Sequence, residues 1–323
     1  MTSKALLCVP RGGLNDTFFQ IFNCLRYCQD SRTERESLYI SDQWSLGSQG
    51  LLGSFFYINP LYDGCPEIEF ISNTSHTNFS LLNQFHSVYP EQLCGNFDCL
   101  ENAEYLKAIS NFVIPVPGKG NILASIYDVE SRKIKVTQDL LVHLAAGGAW
   151  VSPVFMKLLR LHSVAKNYLR SHLKADFLAV KDFSGVHIRN TDNSVKGDWR
   201  EFIARVENDN PGKQFLICSD DRNVVDYCLN KASGNFFTVG EPVPFLKKHQ
   251  ISLHHSLLMS NDDEKVAFFV KTLLDLIFFA RSDKIYTMTA HAWSDGISGF
   301  TKLAVALRRS KNDLLALGVD YIE

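Results

Sequence analysis

A histidine and an arginine end a short apolar segment in the second half of the chain, Gly185-Val186-His187-Ile188-Arg189. Val186 and Ile188 are β-branched, which is typical of an interior strand. In open α/β sheets, ligands bind at the carboxyl ends of the strands. The planar guanidinium of Arg189 suits an anion there, because it can hold two phosphate oxygens at once. The segment therefore predicts a phosphate-binding site, with His187 and Arg189 on one face of the strand.

The polar run continues through Asn190-Thr191-Asp192. A purely structural interpretation pairs Arg189 with Asp192 or with Asp182 in an ion pair. We favour a ligand site, because the strand end and the polar run coincide.

A second candidate lies near the start of the chain, in Arg11-Gly12-Gly13-Leu14-Asn15-Asp16. The two glycines, Gly12 and Gly13, allow a tight turn and a close approach of a ligand, and a following helix adds the positive end of its dipole. An ordinary strand–helix turn capped by Asp16 or Thr17 explains the same pattern. The segment is not a P-loop, because no Gly-Lys-Ser/Thr follows.

Two further polar clusters are predicted to lie at a strand end and at a helix start. After the strand 214–218, Asp220 and Asp221 offer carboxylates to a base or a sugar hydroxyl, although Asp221 is better explained as a helix cap. In Ser298-Gly299-Phe300-Thr301, a serine hydroxyl and free N–H groups at a helix start can receive an anion. Asp220 and Asp221 are adjacent in the sequence, and this arrangement does not require a metal ion.

Asp275 lies inside an apolar helical pattern, Leu274-Asp275-Leu276-Ile277-Phe278. A buried carboxylate is costly unless it has a partner, so we expect a structural partner and not a catalytic role.

Composition limits the classes of protein to which this chain can belong. The chain has 323 residues, 46% hydrophobic and 21% charged, with a net charge of −2, which argues against a surface that coats nucleic acid. No apolar run reaches the roughly 18 residues that a membrane span needs, and Ala5–Val9 is too short for a signal peptide. The sequence therefore predicts a cytoplasmic protein that binds no nucleic acid and spans no membrane.

The eight cysteines are scattered and form no CxxC pair, which argues against a zinc ribbon or a thioredoxin-like site. Cys24 and Cys28 are predicted to be two small core thiols on one helix. Cys94 and Cys99 would be bridged only in an exported protein.

Strands and helices alternate along much of the chain, a pattern that builds parallel, doubly wound sheets. We predict an α/β protein with two Rossmann-like domains facing a cleft, 1–150 and 151–323. The predicted strands are 5–9, 37–41, 68–71, 111–116, 183–189, 214–218, 235–239 and 284–288. The predicted helices are 17–29, 137–147, 154–173, 199–207, 222–231, 262–280 and 299–309.

Taken together, these segments resemble the fucosyltransferase superfamily that uses GDP-fucose, whose members include α1,2-, α1,6- and protein O-fucosyltransferases. Gly12-Gly13-Leu14-Asn15 is similar to the G-G-x-x-N loop of that superfamily, and His187–Asp192 is similar to its H-x-R-R-x-D strand end. Ser219-Asp220-Asp221 resembles its Ser/Thr-Asp strand end. Asp275–Asp283, followed by Ser298–Thr301, resembles its C-terminal helix–strand segment. The resemblance is patchy over residues 1–30 and better over 183–310.

The resemblance implies a GT-B fold, with the donor nucleotide held mainly by the second domain and a glycan acceptor by the first. It implies inverting, metal-independent transfer of L-fucose from GDP-fucose, with no cofactor besides that donor. Arg189 would then hold the β-phosphate and His187 would lie beside the nucleotide. The other expected donor contacts are Gly12, Gly13, Asn15, Asp220, Asp221, Ser298, Gly299 and Phe300.

The chain departs from the family pattern at Asn190, where the second arginine is expected. Either another cation replaces that arginine or the donor is a different nucleotide sugar; the candidate cations are Lys196, Arg200, Arg222 and Arg11. The candidates for the general base are the nearby carboxylates of Asp192, Asp198 and Glu201, and we favour Asp198. The alternative to an enzyme is a catalytically inactive relative that keeps the fold and binds glycans. A hydrolase is disfavoured, because no nucleophile lies in a suitable motif.

Overall fold

The computed structural model describes residues 4–30, 33–42, 51–59, 65–71, 82, 84–100, 113–116, 118–173, 182–189, 197–231, 233–240, 262–288, 297–312 and 317. The chain divides into two compact units, Met1–Arg160 and Leu161–Glu323, whereas the predicted boundary followed residue 150. Both units are Rossmann-like, with parallel sheets and covering helices, so the α/β prediction is confirmed.

The first unit is built on a five-stranded parallel sheet with the order β4-β2-β1-β8-β5. Its strands are β1 (Ala5–Arg11), β2 (Ser37–Ser41), β4 (Glu67–Ile71), β5 (Val88–Tyr89) and β8 (Leu140–Ala146). Strand β1 is central and fully buried over Ala5–Val9, because both of its faces are covered.

Shorter elements complete the first unit, and one of them, Leu159–Leu161, crosses its boundary. They are β3 (Phe56–Ile58), β6 (Val113–Val116), β7 (Gly120–Leu123), β9 (Leu159–Leu161), α1 (Leu14–Gln29), α2 (Leu51–Phe55), α3 (Ile126–Ser131), α4 (Pro153–Leu158) and two 3-10 turns, Glu91–Leu93 and Phe97–Leu100. Strands β6 and β7 form an antiparallel hairpin, and β3 pairs with β9. Helix α1 packs on the central strands β1, β2 and β8.

A buried polar network ties α1 to β8 in the first unit. His143 is fully buried on β8, and its Nε2 lies 3.0 Å from Gln20 Oε1. The hydroxyl of Tyr127 donates to the same Gln20 oxygen at 2.9 Å, and Gln20 Nε2 donates to the carbonyl of Gly147 at 2.6 Å. The network therefore holds the start of the loop that follows β8.

The second unit is built on a four-stranded parallel sheet with the order β12-β11-β10-β13. Its strands are β10 (Phe183–Ile188), β11 (Gln214–Ser219), β12 (Phe236–Phe237) and β13 (Ile285–Met288), and its helices are α5 (Ser163–Ser171), α6 (Trp199–Asn208), α7 (Arg222–Leu229), α8 (Asp262–Arg281) and α9 (Gly299–Ser310). Strand β10 lies between β11 and β13, and both of these strands follow it in the chain. The direction of winding therefore reverses between β10 and β13, which is where open α/β sheets bind ligands.

Side chains of β10 alternate between two apolar layers. Val186 and Ile188 pack with Ile203 of α6 and Val224 of α7. On the other face a Cβ added to Gly185 would lie 2.5 Å from a ring carbon of Phe279 on α8. Glycine at 185 therefore permits the close approach of α8 to the sheet.

Two predicted helices are wrong. Within the predicted helix 137–147, Leu140–Ala146 form strand β8, and Leu140–Ala145 are all buried, as expected of a strand covered on both faces. The predicted helix 154–173 is interrupted: α4 ends at Leu158, β9 follows, and α5 begins at Ser163. Leu159 and Leu161 are buried while Arg160 is only partly buried, the period of two expected of a strand.

The other predicted elements lie within a few residues of the observed ones, apart from the strand 235–239, which is only Phe236–Phe237. Cys24 and Cys28 are buried thiols as predicted, and Cys94 is a free thiol. Within the described ranges, no helix is long and apolar enough to cross a membrane.

Candidate functional site

His187 is the centre of the candidate site in the second unit. Its ring is only 6% exposed, and its Nδ1 lies 3.3 Å from both Ser298 Oγ and Thr301 Oγ1. The ring stacks on Phe300 with centroids 4.9 Å apart and meets Phe279 edge-on. The carboxyl end of β10 thus contacts the start of α9; the sequence analysis assigns both segments to one ligand.

Burial, and to a lesser extent the positive charge of Arg189, lowers the pKa of His187 from 6.5 to about 3. The imidazole is therefore neutral at neutral pH. It contributes a hydrogen-bonding ring that orients the two hydroxyls, and it adds no positive charge of its own.

The first turn of α9 is arranged by two hydroxyls. Ser298 caps the helix by accepting from the N–H of Thr301 at 3.1 Å, and its hydroxyl donates to Thr301 Oγ1 at 3.1 Å. Gly299 and Phe300 occupy the positions whose N–H groups have no partner within a helix. A helix start of this kind favours an anionic group, because the N–H groups and the helix dipole act together.

Arg189 follows β10 directly and is partly exposed. Its backbone N–H donates to the carbonyl of Met288 at 3.3 Å, so it lies at the carboxyl ends of both β10 and β13. A Cβ on Gly197 would lie 3.3 Å from Met288 Cε, so Gly197 also lies near the end of β13. The structure therefore places the backbone of Arg189 at the switch point of the sheet, with its charge close enough to act on His187.

The end of β11 is tied to the end of β10. The hydroxyl of Ser219 donates to the carbonyl of Ile188 at 2.6 Å and accepts from the N–H of Asp221 at 3.1 Å. Asp221 caps α7 by accepting from the N–H of Asn223 at 2.8 Å, which confirms its predicted capping role. Asp220 lies between these two residues at the same edge of the sheet and is only partly buried.

The candidate bases occupy different positions. Asp198 is exposed and caps α6 by accepting from the N–H of Arg200 at 2.8 Å, and Glu201 lies in the first turn of the same helix. Asp192, Asn190 and Lys196 lie outside the described residues. Over the described part of the chain, no cluster of three His, Cys, Asp or Glu side chains is arranged to hold a metal.

The glycine-rich loop belongs to the first unit. Gly12 has a φ of +105°, and a Cβ there would lie 2.4 Å from Asp16 Oδ2, so only glycine fits. Gly13 is the N-cap of α1, and its N–H donates to Asp16 Oδ2 at 3.2 Å. Asn15 is buried, and its Nδ2 donates to the carbonyl of Ala149 at 3.1 Å.

Two site residues were not assigned from the sequence. Thr301 touches His187, and Thr287 of β13 lies 3.5 Å from Thr301 between their hydroxyl oxygens. The Ser-x-x-Thr spacing at the start of α9 was a usable signal for Thr301. Thr287 could be found only from the pairing of β10 with β13, which sets it beside His187.

No protein-family model matches the sequence, and comparison with curated proteins gives no match. The fold and the geometry of the site are therefore the grounds for a functional proposal.

The two buried histidines make stability depend on pH. Burial lowers the pKa of His143, like that of His187, to about 3. Below pH 6.5 the unfolded chain binds protons that the folded chain does not, so the free energy of unfolding falls as the pH is lowered toward 3. Each histidine contributes about 1.4 kcal/mol per pH unit over that range.

Urea unfolding between pH 7 and pH 4 measures this slope. His187→Gln and His143→Gln should each flatten the slope by about 1.4 kcal/mol per pH unit. His86→Gln, at an exposed position, is the matched control and should leave the slope unchanged. An unaltered slope in both buried-site variants would contradict the neutral, buried state of these rings.

Proposed function

We propose that the chain is an inverting glycosyltransferase of the GT-B kind that transfers L-fucose from GDP-fucose to a hydroxyl of a glycan acceptor. The observation that carries this proposal is the junction of His187, Arg189 and the start of α9 at the switch point of the second sheet. A cationic fork and a helix N-terminus at one strand end suit a diphosphate. The resemblance of the same residues to the GDP-fucose enzymes supports the choice of donor.

In the proposed reaction, the acceptor hydroxyl oxygen attacks the anomeric carbon of the donor, and the bond from that carbon to the β-phosphate oxygen breaks. GDP leaves with the electron pair, and the hydroxyl proton passes to a carboxylate. Arg189 and the N–H groups of α9 stabilise the charge that develops on the β-phosphate. Neutral His187 fixes the hydroxyls of Ser298 and Thr301, so that both are in place before the donor binds.

Asp220 is proposed to accept hydrogen bonds from the nucleoside, while Asp221 acts by fixing the turn through its cap on α7. Asp198 remains the proposed base among the described carboxylates. Its Oδ1 is engaged by the N–H of Arg200, which leaves Oδ2 to receive a proton.

A different nucleotide-sugar donor is the second candidate, and the environment of the substitute cations favours it. Arg200 lies 4.2 Å from the ring centroid of Trp199, and Arg222 pairs with Asp226 at 2.6 Å. Both are thus engaged with their own helices. The second arginine of the resembled family therefore has no obvious replacement among these two.

Nucleotide selectivity distinguishes the two donors. A ligand that binds only the folded protein adds about 2.7 kcal/mol of stability at 100 times its dissociation constant, which is measurable as a melting shift. We expect a shift with GDP and little or none with UDP or CMP at equal concentration. A larger melting shift with UDP or CMP would support a glycosyltransferase whose donor is a nucleotide sugar other than GDP-fucose. No shift with any of the three would contradict the transferase and favour a glycan-binding protein.

A further inference from the structure

The two ring nitrogens of His187 have different surroundings. Nδ1 lies 3.3 Å from the hydroxyl oxygens of both Ser298 and Thr301 at the start of α9. In the part of the chain that the structure describes, Nε2 forms no hydrogen bond, and it is not among the fully buried polar atoms that lack a partner. Nε2 therefore reaches the surface near the carboxyl end of β10, although the residue as a whole is buried. A ligand at this strand end can contact it.

The proton of the His187 ring can be on either nitrogen. Burial lowers the pKa of this ring to about 3, so at neutral pH it is neutral and carries one ring proton. The nitrogen that holds the proton donates a hydrogen bond, and the other nitrogen accepts one. The neighbours of Nδ1 therefore decide whether Nε2 offers a ligand a donor or an acceptor.

The hydroxyls of Ser298 and Thr301 make Nδ1 an acceptor. One hydroxyl proton lies between the two oxygens, which are 3.1 Å apart. The other proton needs an acceptor, and each oxygen lies 3.3 Å from Nδ1, whereas Thr287 Oγ1 lies 3.5 Å from Thr301 Oγ1. Nδ1 thus accepts whichever hydroxyl donates to it, and the ring proton stays on Nε2.

An N–H group at this position suits an anionic ligand. The start of α9 and Arg189 both favour an anion, and a neutral donor beside them adds a hydrogen bond without adding charge. The ligand atom that meets this N–H has to be an acceptor, and each oxygen of a diphosphate is one.

We propose that the hydroxyls of Ser298 and Thr301 hold His187 as the Nε2–H tautomer, and that this N–H donates to an oxygen of the diphosphate bound at this site. Thr301 is then a positioning residue, because it acts on the ligand through His187. The choice of a diphosphate rests on the proposed function, whereas the tautomer does not depend on it.

Long-range proton–nitrogen NMR on the whole chain with isotope-labelled histidine identifies the tautomer, because protonated and unprotonated ring nitrogens resonate far apart. The signals of His187 are assigned by their loss in His187→Gln. The wild type should show the Nε2–H form at neutral pH. A ring proton on Nδ1, or an even mixture of the two forms, would overturn the proposal.

Three probes locate the ligand atom that meets Nε2–H: GDP, inorganic pyrophosphate and guanosine. GDP and pyrophosphate should each shift the Nε2–H signal of His187 and slow its exchange with water, while guanosine should do neither. The signals of His86, which is exposed, serve as the internal control and should not move. A response of His187 to guanosine, or none to pyrophosphate, would overturn the phosphate contact.

Two double variants test the hydroxyl of Thr301. Single variants are insufficient, because either hydroxyl can donate to Nδ1. Ser298→Ala with Thr301→Val leaves no hydroxyl at Nδ1, whereas Ser298→Ala with Thr301→Ser keeps one, and both lack the same helix cap. The valine variant should lose its preference for the Nε2–H form. It should bind GDP about three- to tenfold more weakly than the serine variant, which corresponds to the loss of one hydrogen bond.

Melting curves show whether the two double variants are folded. Equal tautomers and equal GDP affinities in the two would contradict the positioning role of Thr301. If the valine variant does not fold, the tautomer of the wild type still decides the proposal.

The melting shift with GDP tests the proposed function separately. A response of Nε2–H to pyrophosphate, in a chain that GDP does not stabilise, would support the phosphate contact and contradict the transferase. A GDP melting shift without any response of Nε2–H would support the transferase and overturn this inference.

Discussion

Arg189→Ala is expected to abolish the melting shift produced by GDP and to lower the rate of sugar transfer by about 10²–10³-fold. Arg189 lies at the carboxyl ends of β10 and β13, and its charge is close enough to lower the pKa of His187. Removing it would take away the cationic group proposed to stabilise the leaving diphosphate. The effect should fall on donor binding and on the chemical step alike.

Arg189→Lys distinguishes charge from geometry. Lysine keeps the positive charge but loses the planar fork that binds two oxygens, so we expect an intermediate loss of about tenfold. Arg205→Ala is the control, because Arg205 is an exposed cation of the same unit that lies 5.9 Å from the ring centroid of Phe202. Equal GDP shifts in the wild type, Arg189→Ala and Arg205→Ala would contradict a role for Arg189 in binding the diphosphate.

Asp275→Ala is expected to lower the free energy of unfolding by about 3–5 kcal/mol. Asp275 and Lys271 form an ion pair one turn apart on α8, and Asp275 is buried. Burial raises the pKa of Asp275, and the positive charge of Lys271 opposes that rise. Without the carboxylate, the largely buried ammonium of Lys271 would have lost its partner. Urea unfolding followed by circular dichroism measures the loss.

Two companion variants show whether desolvation is the cause. The double variant Lys271→Met with Asp275→Leu removes both charges and should recover most of the stability, since apolar replacements of a buried pair are often neutral or stabilising. Asp283→Ala removes one partner of the Lys213–Asp283 pair, whose side chains are 42% and 52% exposed. That change should cost less than about 1 kcal/mol. A loss at Asp275 no larger than the loss at Asp283 would contradict the prediction.

Local sequence signals predicted the second unit well. The β-branched residues Val186 and Ile188 marked an interior strand, and β10 is buried along its whole length. Ser298 and Asp221 were identified at helix starts, and each caps its helix. These features depend on neighbours a few residues away, which is the range over which periodicity and capping act.

The first unit was predicted less well, because a continuous apolar run does not distinguish a buried strand from a buried helix. Leu140–Ala146 is nearly such a run, apolar except for His143, and its assignment as a helix hid the loop that follows β8. The orphaned Oδ1 of Asn15 is a property of packing and has no signature in the sequence.

The sequence by itself determined the alternation of strands and helices, the polar residues at the strand ends and the caps at the helix starts. The tertiary structure decided which strand ends are neighbours. His187 meets Ser298 across 111 residues only because β13 pairs with β10, and Asn15 meets Ala149 across 134 residues only because β8 pairs with β1. Strand order follows from how all the apolar faces are buried together, whereas the periodicity of each segment reflects only its own faces.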